Sequence, residues 1–260
     1  MFLDHKKVLV FSAHAADFCS RAGGTIARFT DAGASVHIHD FTYGEIMESP
    51  ALWDQKPPPP VDVIKAIRGE EMERAAAILG ATIDCFDYGD GPLLLGPERR
   101  LEVMKAIRAF APDVVLCHWI DDFLHPDHVE AAQAVLWAAR YCGTPGIETG
   151  NAPCPSPEYV CYETQLGASP VTKFLPDFFV DIDSTIDRQL LELESNPTGE
   201  VHRHRRGEEQ QADDRQHHLQ PSRSESQQDN PRHGEDQAGR RQGVHHLSSS
   251  TGPEGESCPQ

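Results

Sequence analysis

Over the first 195 positions, apolar residues fall into short runs separated by longer amphipathic stretches. Val8-Leu9-Val10-Phe11, bounded by Lys7 and Ser12, is unbroken by polar residues, as expected of a strand buried on both faces. A helix is predicted from Phe18 to about Ala32, stopped by Gly33, and a second strand over Ser35–Phe41. Thr42–Pro60 reads as a loop, because four consecutive prolines at Pro57 to Pro60 exclude helix and central strand alike. Val63, Ile64, Ile67, Met72, Ala75, Ile78 and Leu79 recur with a period of about 3.6, which predicts a helix over Val61–Leu79, ended by Gly80. A third strand over Thr82–Tyr88 follows, then a helix over Pro97–Phe110 with Leu101, Met104 and Ile107 as its apolar stripe. Val114–Cys117 is the fourth strand and His128–Tyr141 an alanine-rich helix. Tyr159–Tyr162 and Phe178–Ile182 are further strands.

Strands alternating with helices predict an α/β fold: a Rossmann-like, mostly parallel sheet with helices on both faces and right-handed crossovers. The pattern assigns residues 1–195 to one catalytic domain. Beyond Ser195 it stops. All 11 Phe, 3 Trp and 5 Tyr precede that point, and the only aliphatics larger than Ala after it are Val201, Leu219, Val244 and Leu247. Residues 196–260 are therefore expected to form a disordered, low-complexity tail, with too little apolar surface to offset the entropy of ordering. The abrupt change also fits a switch of reading frame or exon. The tail's histidines, adjacent only at His217–His218 and His245–His246, have no framework of Cys or Asp around them.

Composition narrows the function. Lys+Arg 23 against Asp+Glu 41 gives a net charge of -18, which argues against a nucleic-acid partner. No apolar run approaches the roughly 18 residues of a membrane span, and Val8 to Phe11 is too brief for a signal segment, so no membrane partner is expected and the cytoplasm is the expected location. Seven cysteines without a C-x-x-C pair read as reduced thiols. The pattern leaves a homo-oligomer open.

In open parallel sheets ligands bind beyond the carboxyl ends of the strands. His14 and Asp17 follow the first strand; His118, Asp121, Asp122, His125, Asp127 and His128 follow the fourth. His14, Asp17 and His128 offer two imidazoles and a carboxylate, and three protein ligands with an open position make a catalytic zinc site. The same residues also suit turns and helix caps, with Asp17 capping the next helix. Spacing leaves both readings open.

Ala13-His14-Ala15-Ala16-Asp17 followed by Ala22-Gly23-Gly24-Thr25-Ile26-Ala27 resembles the opening of the PIG-L/LmbE family, which contains zinc-dependent N-acetylglucosaminyl deacetylases. Tyr43-Gly44-Glu45, Arg68-x-x-Glu71-x-x-x-Ala75-x-x-x-Leu79-Gly80, Asp87-Tyr88-Gly89-Asp90, Pro112-Asp113-Val114-Val115 and His125-Pro126-Asp127-His128 extend the likeness to about Ser195. The resemblance implies Zn2+ held by His14, Asp17 and His128, with His125 assisting catalysis. One departure matters. The deacetylases read A-H-P-D-D-E, and Ala16 stands where the first aspartate of that pair is their general base. Ala15 replaces the proline and Phe18 the acidic residue. Alanine cannot take a proton from water and return it to a leaving amine.

The A-H-x-A-D-F pattern, with Arg21-Ala22-Gly23-Gly24, Gly44-Glu45-x-x-Glu48-Ser49, Leu52-Trp53 and Pro176-Asp177-x-Phe179-x-Asp181-Ile182, resembles the 4-oxalomesaconate hydratase branch of gallate and protocatechuate breakdown. That likeness implies a hydro-lyase acting on a small anionic substrate to give 4-carboxy-4-hydroxy-2-oxoadipate. No amine leaves in that reaction, so an aspartate at position 16 is unnecessary. A base must come from elsewhere: Glu45 or Glu48 after the second strand, with the branch likeness favouring Glu48. Either glutamate also suits a solvated loop. Arg21 and Arg68 are candidate cations for the substrate; Arg68 equally suits a structural pair with Glu71 or Glu45. Two further readings are a zinc deacetylase of an N-acetylated sugar, opposed by Ala16, and an inactive truncated or frameshifted member of the family, motivated by the tail.

Overall fold

The computed structural model describes residues 2–15, 17–163, 169–194, 197–198 and 241–247. The elements are β1 (Lys7–Ser12), α1 (Asp17–Asp31), β2 (Ser35–Asp40), α2 (Pro50–Trp53), α3 (Val61–Leu79), β3 (Thr82–Cys85), α4 (Pro97–Phe110), β4 (Val114–His118), α5 (Pro126–Tyr141), β5 (Glu158–Tyr162), α6 (Ser169–Thr172), β6 (Phe178–Asp181), α7 (Ile186–Glu194) and β7 (Arg241–Leu247). The strands form one sheet in the order β3-β2-β1-β4-β5-β7-β6. β3, β2, β1, β4 and β5 pair in parallel, as the alternating pattern predicts.

β1 and β4 lie at the centre, and every residue of β4 is buried. Their odd and even positions feed two cores. Leu9, Phe11, Ala13, Val115 and Cys117 pack with Val103, Met104 and Ile107 of α4 and the alanines of α5. Val8, Val10, Val114 and Leu116 pack on the opposite face with Ile26 and Phe29 of α1 and Met72 and Leu79 of α3. Two buried faces explain why these strands read as continuous apolar runs. α1 also lies close to α7: a Cβ on Gly24 would come 2.9 Å from Ile182 Cβ and from Gln189 Oε1. The chain leaves β1 toward β2 on one side and reaches β4 on the other, so the carboxyl ends of β1 and β4 flank the topological switch point.

One expectation is corrected and one element is added. The Thr42–Pro60 loop contains a short helix, α2, with Pro50 in its first turn, where a missing N–H costs nothing. Within the expected tail, residues 241–247 form β7, antiparallel to both β5 and β6. Its pairing is Tyr162↔Val244 on one side and Phe178↔Val244 on the other. Hydrophobic bookkeeping missed it because a strand entering between two open edges is held by backbone hydrogen bonds, which do not depend on side-chain apolarity. The remainder of 196–260, apart from 197–198, lies outside the described residues. Among those described, no helix is long and apolar enough to cross a membrane.

Asp113, before β4, accepts hydrogen bonds from the backbone N–H groups of Lys6 (2.8 Å) and Lys7 (2.9 Å), fixing the start of β1 beside β4. These bonds hold its carboxyl below the usual carboxylate range. A carboxylate whose folded pKa is depressed stabilises the fold above its unfolded pKa and loses that contribution as pH falls through the folded value. Asp113→Ala should therefore lower unfolding stability in urea by about 0.5–1.5 kcal/mol at neutral pH, the usual net worth of a hydrogen bond. The difference from wild type should shrink once pH drops below the ordinary carboxylate range of about 4.

Candidate metal centre

The centre is built where β1 and β4 end. After Ser12 the chain turns through His14: the Asp17 N–H donates to the His14 carbonyl (3.1 Å), and the His14 N–H donates to Asp17 Oδ2 (2.8 Å). This reciprocal pair starts α1 and faces the Asp17 carboxylate inward. Beyond β4, His125 caps α5, and Pro126 in the first turn lets the helix begin at once, which carries His128 inward from that turn.

Asp17 Oδ2 is the focus. It lies 3.2 Å from His14 Nδ1, 3.4 Å from His128 Nε2 and 3.5 Å from His118 Nε2. Burial opposes the charge of Asp17, but His128 and His14 outweigh it and hold the carboxyl well below its ordinary range. Each ring is oriented from its far side. His128 Nδ1 lies 3.0 Å from Asp122 Oδ2, and His14 Nε2 lies 3.4 Å from Asp127 Oδ2. Asp127 also accepts the Leu93 N–H at 3.0 Å. Carboxylates behind imidazoles are the usual means of fixing a metal-binding histidine's orientation and raising its basicity.

Three imidazoles form a stack. His128 lies between His118, at 4.0 Å and 6° between planes, and His125, at 3.9 Å and 6°. Burial, then the charge of His128, pushes the His118 pKa well below its ordinary value. His118 Nε2 accepts the Ala13 N–H at 2.9 Å, which commits that nitrogen to the backbone. His118 is thus a neutral wall. His128 Nε2, by contrast, is a buried atom without a hydrogen-bond partner among the described residues. His14, Asp17 and His128, the set that the resemblance implies, come together here, and Asp17, His118 and His128 have ligand atoms within 4.8 Å of one another. His125 can join His14 and His128 in a second grouping, with ligand atoms within 4.8 Å of one another.

The loop after β2 brings in an acid. Gly44 has a φ of +65°, and a Cβ there would lie 2.8 Å from Glu48 Cβ and 3.4 Å from His14 Cβ. Only glycine lets the chain pass over His14 so closely. Ser49 Oγ donates to the Gly44 carbonyl (2.7 Å), while Asp90 accepts the N–H groups of Ile46 (2.9 Å) and Met47 (2.7 Å). So braced, the loop places Glu48 Oε1 3.1 Å from His125 Nε2. Glu45 points elsewhere. It is buried, with Oε1 3.4 Å from Lys65 Nζ, and its burial raises its pKa. The two glutamates weighed as bases are thus separated: Glu48 joins the cluster and Glu45 does not.

The two arginines also divide. Arg21 lies half-buried on α1, in the field of Asp17, Glu163 and Asp122. Arg68 is fully buried; Nη1 donates to Glu71 Oε2 (2.7 Å) and Nε to the Tyr43 carbonyl (3.2 Å), tying the start of the Glu48 loop to α3. Ala16 lies outside the described residues. Asp40, at the end of β2, was not singled out by the sequence: it accepts a short hydrogen bond from Ser12, and burial pushes its carboxyl well above the ordinary range. Asp122, Asp127 and His118 had been placed on this edge without roles. Their position at strand ends was the only signal available.

Comparison with known proteins agrees with this geometry. Residues 9–139 match the PIG-L family, described as GlcNAc-PI de-N-acetylase. A 4-oxalmesaconate hydratase of Pseudomonas putida is 32% identical over 189 residues, covering 73% of this chain and 72% of that protein. A diacetylchitobiose deacetylase of Thermococcus kodakarensis is 31% identical over 153 residues, covering 58% of this chain and 55% of its own length. Among solved structures, GalB, the 4-carboxy-2-hydroxymuconate hydratase of Pseudomonas putida, superposes with a TM-score of 0.74 at 26% identity, covering 98% of this chain and all of that one. With its family motif spanning β1 to α5 and its donors converging as described, the chain belongs to the PIG-L family.

Proposed function

We propose that the protein is a zinc-dependent hydratase that adds water across the carbon–carbon double bond of an unsaturated oxo-tricarboxylate such as 4-oxalomesaconate. The observation that carries this reading is the Glu48–His125 pair at 3.1 Å beside His14 and His128, in a chain with alanine at position 16. An acid–base pair survives where the deacetylase base does not. The hydratase from Pseudomonas putida, 32% identical, supports the substrate class.

His14, Asp17 and His128 would hold the ion, which supplies a Lewis acid to a substrate oxygen. The Glu48 carboxylate takes a proton from water as the oxygen forms its bond to the carboxylate-bearing carbon. His125, hydrogen-bonded to Glu48, relays a proton to the neighbouring carbon. One O–H bond of water and the C=C π bond break, one C–O and one C–H bond form, and the product is 4-carboxy-4-hydroxy-2-oxoadipate. Arg21 offsets the charge of the anionic substrate. Arg68 acts at a distance, holding the Tyr43 carbonyl and with it the base loop.

Three measurements test this reading. The purified protein should consume 4-oxalomesaconate and release no acetate from N-acetylglucosamine derivatives; acetate release at enzyme-like rates would replace the hydratase reading with the deacetylase one, and neither activity would favour an inactive chain. Glu48→Gln should cut turnover by about 10²–10⁴, the worth of a positioned general base, with bound metal retained. Glu45→Gln should stay within about tenfold of wild type, because its side chain faces Lys65; the reverse ranking would move the base to Glu45. His14→Ala and His128→Ala should each remove zinc from this centre, read by elemental analysis.

A further inference from the structure

A second cluster lies on the other face of β2, away from the centre just described. His37 and His39 are two residues apart and so point to one side of the sheet, while Val36, Ile38 and Asp40 are buried on the other. The parallel neighbour β3 is in register with them, His37 opposite Thr82 and His39 opposite Asp84. β3 is the edge strand, and an open groove of about 600 Å3 lies over these residues, walled by Phe86, Phe110 and Glu102.

The ring positions are fixed. His39 stacks on Phe86 (4.9 Å, 20°) and on Phe11 (5.7 Å, 21°), and His37 stacks on Phe110 (5.9 Å, 29°). His37 Nδ1 is 2.7 Å from Thr82 Oγ1, which leaves Nε2 facing Asp84 Oδ2 at 3.3 Å. His39 Nδ1 is buried without a hydrogen-bond partner among the described residues. Burial, then the neighbouring His37, pushes the His39 pKa down to about 4, and burial lowers His37 as well.

We propose that His37, His39 and Asp84 form a second metal site for a zinc-class divalent ion, with the remaining coordination open to the groove. Their ligand atoms lie within 4.8 Å of one another. Tetrahedral bonds of about 2.0–2.1 Å need donors about 3.3 Å apart, so closure requires a small swing of one ligand. Asp84, with 72% of its side chain exposed, is free to make it. Two imidazoles and one carboxylate select zinc, cobalt or nickel over magnesium or calcium. This site shares no residue with the His14 centre and does not depend on the hydratase reading.

The test is metal stoichiometry of the full chain after chelator treatment and dialysis against Co2+ or Zn2+. Wild type should bind two ions per chain and His14→Ala/His128→Ala one. His39→Phe keeps the aromatic stack and should lose the second ion while keeping the first. Asp84→Asn, at the exposed rim and safe for folding, should weaken the second ion at least tenfold. An unchanged metal count in both His39→Phe and Asp84→Asn, whatever the wild-type total, or loss of the second ion on His245→Ala/His246→Ala instead, would each overturn the assignment.

Discussion

Everything at the strand-end edge depends on one part-buried carboxylate oxygen. Asp17 Oδ2 receives the His14 N–H and faces three imidazoles within 3.5 Å. Burying a carboxylate without partners costs several kcal/mol, so the histidines around it are a condition of its presence as well as candidate ligands. Opposing effects act on His14: burial disfavours its charge, but hydrogen bonds to Asp127 and Asp17 prevail and hold its pKa well above the ordinary value.

The surrounding structure keeps that constellation in place without taking part in it. Asp122 and Asp127 orient the two imidazoles from behind, His118 fills the space beside His128, and the Ala13 N–H fixes His118. The β2 loop is braced independently through Ser49, Asp90 and the buried Arg68–Glu71 pair. The Glu48–His125 contact at 3.1 Å keeps its geometry only if both partners hold still, and these supports come from six different elements or their flanking loops.

An alanine in place of an aspartate at position 16 changes what a centre of this geometry could do. Amide cleavage needs a base that also protonates the leaving nitrogen, whereas hydration needs a base and a proton for carbon. Glu48 reaches the cluster from the β2 side, distinct from the β1 side that carries residue 16.

The sequence by itself determined the parallel sheet, the order of its elements from β1 to α5 and the edge at which His14, Asp17 and His128 meet. Periodicity reports burial on one or two faces, and strand ends in such a sheet converge on one edge. It also set His37 and His39 on a common face, through the simple alternation of a strand. Tertiary structure alone decided the rest. Glu45 and Glu48 differ by three loop positions, and only the family likeness favours Glu48; the backbone turn at Gly44 sends Glu48 to His125 and Glu45 to Lys65. Arg68 has the charge of a substrate-binding residue, but only packing shows it enclosed against Glu71. β7 was illegible for a different reason: its place is set by unpaired backbone on β5 and β6, and backbone hydrogen bonding leaves no trace in the order of side chains.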